Sequence, residues 1–115
     1  MVSDTVVKTV IVGTGPYGIA VNPAGTRVYV ANQESDTVSV IDTSSNSVVD
    51  TINVGDGPFG VAVNPAGTKV YVTNSNSNSV SVIDTGTSNI TSISVGASPY
   101  GIAVNPSGTK LYVAN

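Results

Sequence analysis

Gly15-Pro16-Tyr17-Gly18-Ile19-Ala20-Val21-Asn22-Pro23-Ala24-Gly25-Thr26 returns almost unchanged as Gly57-Pro58-Phe59-Gly60-Val61-Ala62-Val63-Asn64-Pro65-Ala66-Gly67-Thr68. It returns a third time as Ser98-Pro99-Tyr100-Gly101-Ile102-Ala103-Val104-Asn105-Pro106-Ser107-Gly108-Thr109. The prolines Pro16, Pro58 and Pro99 stand 42 and 41 residues apart, so the second repeat is one residue shorter, a loss read in its Ser/Thr/Asn-rich loop. Self-similarity at a fixed period means that one structural unit is used repeatedly and buries its apolar faces only against its neighbours.

Each period reads as four strands. The first, residues 17–22, has Gly-Ile-Ala-Val at its centre and is apolar on both faces, as a strand between neighbouring sheets is. Asn-Pro-Ala-Gly then turns the chain, Pro presetting φ and Gly supplying a positive one. The second strand, 27–32, alternates Val28 and Val30 with Tyr29 and Ala31. The third, 37–41, is closed by Asp42-Thr43, and the fourth, 48–54, carries Asp50, Thr51 and Asn53, which suits a partly wet outer strand. Turn signals every 8 to 12 residues and a preponderance of β-branched residues exclude helices. A period of about 40 to 45 residues with four strands is the size of a β-propeller blade. The fold class expected is therefore all-β, a partial propeller of about 2.75 blades: a lone outer strand over 1–12, blade 1 over 13–54, blade 2 over 55–95 and half of blade 3 over 96–115. The core is expected between blades, from Ile19, Val21, Val61, Val63, Ile102 and Val104, with Val28, Val30, Val70 and Val72 behind them.

Tyr71-Val72-Thr73-Asn74, with its variants Tyr29-Val30-Ala31-Asn32 and Tyr112-Val113-Ala114-Asn115, resembles the YVTN β-propeller repeat, as do the flanking Gly-[Ile/Val]-Ala-Val-Asn-Pro and Ser-Val-Ile-Asp-Thr segments. The resemblance covers nearly the whole chain. It implies a propeller of the kind found in surface-layer and other cell-envelope proteins of archaea and bacteria, and hence an extracellular or cell-surface location. Similar propellers also occur in several enzymes.

Composition narrows the chemistry. The 115 residues hold 10% charged residues, 4 basic and 7 acidic, with no Cys and no His. About a quarter of an average domain is charged; here Ser, Thr, Asn and Gly take that place. The absence of Cys removes disulfides and thiolates, and the absence of His removes the commonest general base and metal ligand. A net charge of −3 disfavours nucleic acid as a partner. No apolar run approaches the roughly 20 residues that span a bilayer, and the first residues have neither a basic n-region nor a long h-region, so neither membrane insertion nor a signal peptide is expected in the chain as given. Gly13-Thr14-Gly15-Pro16 and Gly55-Asp56-Gly57-Pro58 lack the Lys and the following helix of a phosphate loop, and no base is available to activate a Ser. The chain is expected to be no enzyme and to need no cofactor or metal; a propeller lactonase or lyase requires metal or acid–base residues that are missing here. Asn89-Ile90-Thr91 is a glycosylation sequon, of use only in a secreted protein.

Three repeated features are candidate sites. Asp42 and Asp84 follow Val-Ile and precede Thr in successive repeats, either as carboxylates for Ca²⁺ or as turn caps; no second carboxylate recurs beside them, which favours the cap. Asn22, Asn64 and Asn105 precede Pro in every copy, and Asn32, Asn74 and Asn115 end every second strand, a regularity that points to blade architecture. Tyr17, Phe59 and Tyr100 stand before the innermost strands. They are candidates for stacking on a carbohydrate or peptide at the channel mouth, or for packing each under the next blade.

The strand count supplies the last expectation. Val6-Val7-Lys8-Thr9-Val10-Ile11-Val12 aligns with 48–54 as a fourth-type strand, while the third repeat stops after a second-type strand. Ser3-Asp4-Thr5-Val6 also matches Ser35-Asp36-Thr37-Val38, the start of a third-type strand. Propellers typically close with four to eight blades. In one reading the partner is the chain itself, joined head to tail with Val6, Val10 and Val12 of one copy completing the Leu111, Tyr112 and Val113 edge of the next. A six-bladed dimer is then favoured over a nine-bladed trimer or a filament. In the other, the chain is a piece of a longer propeller.

Overall fold

Ten strands and no helix make up the described residues, Val6 and 8–115, of the computed structural model. The first blade is β1 (Pro16–Val21), β2 (Arg27–Asn32), β3 (Thr37–Asp42) and β4 (Ser47–Asn53), paired antiparallel in chain order. The second repeats it as β5 (Pro58–Val63), β6 (Lys69–Asn74), β7 (Ser79–Asp84) and β8 (Ile90–Ser94). A third sheet holds only β9 (Ile102–Val104) and β10 (Leu111–Val113). The strands expected within the three repeats are present within a residue or two of their bounds. The lone strand read over 1–12 lies partly outside the described residues; Val6 and 8–12 belong to no strand. No helix among the described residues is long and apolar enough to cross a membrane.

The turn after each inner strand explains the repeated Asn-Pro-x-Gly-Thr. Asn22 Oδ1 accepts the amide hydrogens of Thr26 (2.8 Å) and Arg27 (3.1 Å), while its Nδ2 donates to Thr26 Oγ1 (3.0 Å). Asn64 repeats this with Thr68 and Lys69, and Asn105 with Thr109 and Lys110. Gly25, Gly67 and Gly108 each sit at φ +72°, which a Cβ would strain. The Thr of Ile-Asp-Thr closes the same corner, Thr43 Oγ1 donating to the Gly25 carbonyl and Thr85 Oγ1 to that of Gly67.

One residue distinguishes the two full blades, and it is not in a loop. Ile41 faces Val48 and Ile83 faces Ile90 across turns of equal length. Beyond that point Val40 faces Asp50, leaving Val49 as a β-bulge, whereas Val82 faces Thr91 in unbroken register. The 42-against-41 difference is thus a bulge in β4 rather than a shortened loop. A bulge accommodates the inserted residue without reversing the faces of the rest of the strand.

Blade 1 lays one face on the opposite face of blade 2. Tyr29, Ala31, Val38, Val40 and Ile52 form a single cluster with Val70, Val72 and Ile83, flanked by Val54, Val61 and Val63. Each fully buried Val contributes about 1.5–3 kcal/mol. This core is centred on the second and third strands, not on the inner strand as the sequence suggested. The third-strand residues Val38, Val80 and Ile83 are almost completely buried, as are Ala31, Val70 and Val72 of the second strands. Ile19 and Val21 are exposed, no further blade among the described residues lying on their side of the sheet.

Candidate functional site

The aligned residues of successive blades differ most in exposure at the two ends of the array. On β1, Ile19 is 66% and Val21 55% exposed; their counterparts Val61 and Val63 on β5 are half-buried against blade 1. At the other end, Tyr112 on β10 is 59% exposed, while its counterpart Tyr29 is 5% exposed beneath blade 2. On blade 1 the inner-strand part of the face that blade 2 turns to blade 1 is therefore bare, while Val30 and Ile41 farther out on that face are buried; on β9–β10 the counterpart of the face that blade 1 turns to blade 2 is bare at Tyr112. Leu111 and Val113 are half-buried, and β10 pairs with β9 alone, so its second edge is unpaired among the described residues. Of the N-terminal edge residues, Val6 is exposed and Val10 and Val12 are half-buried.

Tyr17, Phe59 and Tyr100 come together. The inner strands β1, β5 and β9 lie side by side, and the rings form a row at one end of them. Tyr17 stacks on Phe59 with centroids 4.9 Å apart and an interplanar angle of 25°; Phe59 meets Tyr100 edge-on at 4.9 Å and 89°. Such offset and edge-to-face pairs add about 0.5–1.5 kcal/mol each beyond area burial. Tyr17 and Tyr100 remain exposed at the two ends of the row.

The other repeated polar residues are structural. Asp42 Oδ1 accepts from Ser44 N (2.8 Å) and Ser44 Oγ (2.7 Å), and Asp84 Oδ1 accepts from Gly86 N (2.9 Å) and Thr87 N (3.2 Å). Both cap turns, as the absence of a companion carboxylate suggested. The Ser44 hydrogen bonds, aided by Arg27 at 3.1 Å, hold the Asp42 carboxyl below the usual carboxylate range. The stabilisation this gives is present above the ordinary carboxylate pKa and is lost as pH falls through the lowered one. Asn32 and Asn74 are fully buried; each Nδ2 donates to two hydroxyls, Thr37 and Ser39 for Asn32, Ser79 and Ser81 for Asn74. Among the described residues no group of three or more His, Cys, Asp or Glu gathers as a metal shell.

Between the outer parts of blades 1 and 2 lies a cavity of about 290 Å³, lined by Arg27, Tyr29, Val49, Asp50, Ile52 and Ile83 among others. Sequence reasoning did not single it out. It sits where the β4 bulge turns Val49 and Asp50, a feature whose only trace in the sequence is the one-residue difference in period. Burial against this wall pushes the Tyr29 hydroxyl pKa up, with Arg27 opposing.

Comparison with known proteins agrees with this geometry. No curated protein sequence matches the chain. Among solved structures, hydrazine synthase of Kuenenia stuttgartiensis superposes with a TM-score of 0.86 at 35% identity, over 99% of this chain and 32% of that one. A functionally unknown protein from Desulfotomaculum acetoxidans gives 0.79 at 22% identity, over 90% and 36%. The Cps50 (Swd1) β-propeller domain of Myceliophteria thermophila gives 0.73 at 15%, over 84% and 31%, a likeness of fold alone. The chain thus spans about a third of the length of each of these structures. The family model for YNCE-like β-propellers matches residues 2–110, and with its tandem four-stranded blades the chain belongs to that family.

Proposed function

We propose that the chain is a non-catalytic structural and interaction module, a segment of β-propeller that self-assembles head to tail through its open blade faces. The observation that carries this reading is the pair of complementary bare patches, on β1 at one end and on β10 at the other. Ile19 and Val21 at one end, and Tyr112 at the other, are the counterparts of residues that pack together inside the molecule. A contact of this kind is heterologous, closing into a ring if the rotation permits and running on as a filament if it does not. Two copies make a six-bladed ring, the arrangement favoured here. In it the N-terminal segment of each copy lies along the unpaired edge of the other's β10. The sparse charge and the Ser/Thr/Asn-rich surface support a place at the cell surface for such an assembly.

Light scattering on the purified chain tests the proposal. The expected result is a mass of twice 11.5 kDa, reduced to the single-chain value when residues 1–8 are deleted. A monodisperse single chain with a cooperative melt overturns it.

A second reading is favoured by the row of rings. With Tyr17 and Tyr100 exposed at its ends, the row offers flat apolar surface to a carbohydrate or peptide. Titration with oligosaccharides and peptides, followed by tyrosine fluorescence, is expected to show saturable binding that is lost in the folded double variant Tyr17→Ala, Tyr100→Ala. Loss of the fold in that variant instead assigns the rings to packing.

A further inference from the structure

Both joints between consecutive blades are built on one backbone contact. At the first, Gly18 lies so close to the Phe59 carbonyl oxygen that a Cβ on Gly18 would fall on it; at the second, Gly60 stands in the same relation to the Tyr100 carbonyl oxygen. Gly101 is the third glycine of this series. It is exposed, and the nearest heavy atom to the place its Cβ would take is Ala114 Cβ at 3.8 Å. The aromatic row follows the same progression, from Tyr17 to Phe59 to Tyr100, and ends where the carbonyl contacts end.

We propose that Gly101 is the cradle for the Tyr17 carbonyl of a second copy, with Tyr100 of the first copy packing on that copy's Tyr17. The inference rests on the self-assembly reading and identifies the contact that makes the joint. The internal joints identify the occupant: each glycine receives the carbonyl of the aromatic residue of a Pro-aromatic-Gly segment, and Pro16-Tyr17-Gly18 is such a segment on the open face of blade 1.

The third position of Tyr-Val-x-Asn then sets the strength of each joint. Thr73 Oγ1 accepts the amide hydrogen of Gly60 (2.8 Å) and donates to the Tyr100 carbonyl (2.7 Å), tying blade 2 to the half-blade through one hydroxyl. Ala31 occupies this position at the first joint and Ala114 at the open one. The joint with a second copy therefore takes the weaker, Ala31 form, and a threonine at 114 supplies the missing bridge.

Sedimentation equilibrium on the 115-residue chain, with circular dichroism and urea unfolding to report the fold, tests both statements. Gly101→Val is expected to weaken association about tenfold or more, as overpacking a tight contact does, while leaving the dilute chain's urea midpoint unchanged. Ala114→Thr is expected to tighten association about two- to tenfold, the range of one net hydrogen bond. If the wild type associates and neither variant alters the constant, the joint is refuted and self-assembly stands. A wild type that stays monomeric at every concentration refutes self-assembly itself, and with it the second copy as occupant. Should Gly101→Val lose its fold, Ala114→Thr decides alone, an unchanged or weakened constant counting against the proposal.

Discussion

Tyr29 and Asn64 carry the repeat in different ways, one by being buried and one by bonding the backbone. Tyr29 stands between the blades with its hydroxyl beside Arg27, and burial makes the phenolate costly, so its folded pKa lies above the unfolded value near 10. Its contribution to stability is complete below that value and is lost as pH rises through the raised one. Tyr29→Phe keeps the ring and removes the ionisation; urea midpoints measured near pH 8 and pH 11 are expected to fall less in the variant than in the wild type. An equal fall assigns the alkaline loss to other groups. Asn64 bonds two amides and one hydroxyl of its own turn, and Asn64→Ala is expected to lower stability by about 1–2 kcal/mol in urea unfolding. Its role was legible from repetition before Pro, because a requirement met in every copy belongs to the unit. Tyr29's burial was not, since Tyr112 carries the same local sequence and is exposed.

At the scale of elements, the inner strands are held together by what their glycines lack. A Cβ at Gly60 would fall on the Tyr100 carbonyl oxygen, a backbone group that moves only with its strand. Gly60→Ala is expected to destabilise the chain by about 1–3 kcal/mol, while Gly101→Ala, whose Cβ meets only Ala114 Cβ at an ordinary contact distance of 3.8 Å, leaves the urea midpoint of the dilute chain within about 0.5 kcal/mol of the wild type. Equal losses at both positions contradict the close approach of β5 and β9. The strands themselves were readable almost to the residue, because β-branched alternation and Asn-Pro-x-Gly turns are local signals. The β4 bulge was not: the sequence shows that one residue is extra, but cross-strand register decides where the extra residue is placed. Val49 and Asp50 took it up because the turn between Asp42 and Ser47 is already closed by its own hydrogen bonds.

As a whole, the described residues form an open array at whose ends Ile19, Val21 and Tyr112 bare apolar surface that their counterparts bury inside. If the proposed association occurs, the midpoint of thermal unfolding rises with protein concentration, since a partner that binds only the folded state stabilises it by mass action. A midpoint constant over a hundredfold range of concentration, read by scanning calorimetry, counts against it. The edge of β10, unpaired among the described residues, is also a template for unplanned pairing, so the Gly101→Val chain is expected to aggregate more readily on heating. The amino-acid sequence by itself determined the period, the four strands of each blade, their turns and the membership of repeated Asn, Asp and Thr in those turns, because all of these are local and recur. Tertiary structure alone decided which copy of a repeated residue is covered and which is bare. It also placed the core on the second and third strands, and left a carbonyl opposite Gly18 and Gly60 but not Gly101. Identical segments acquire different environments only from their neighbours, and neighbours exist only once the blades are stacked.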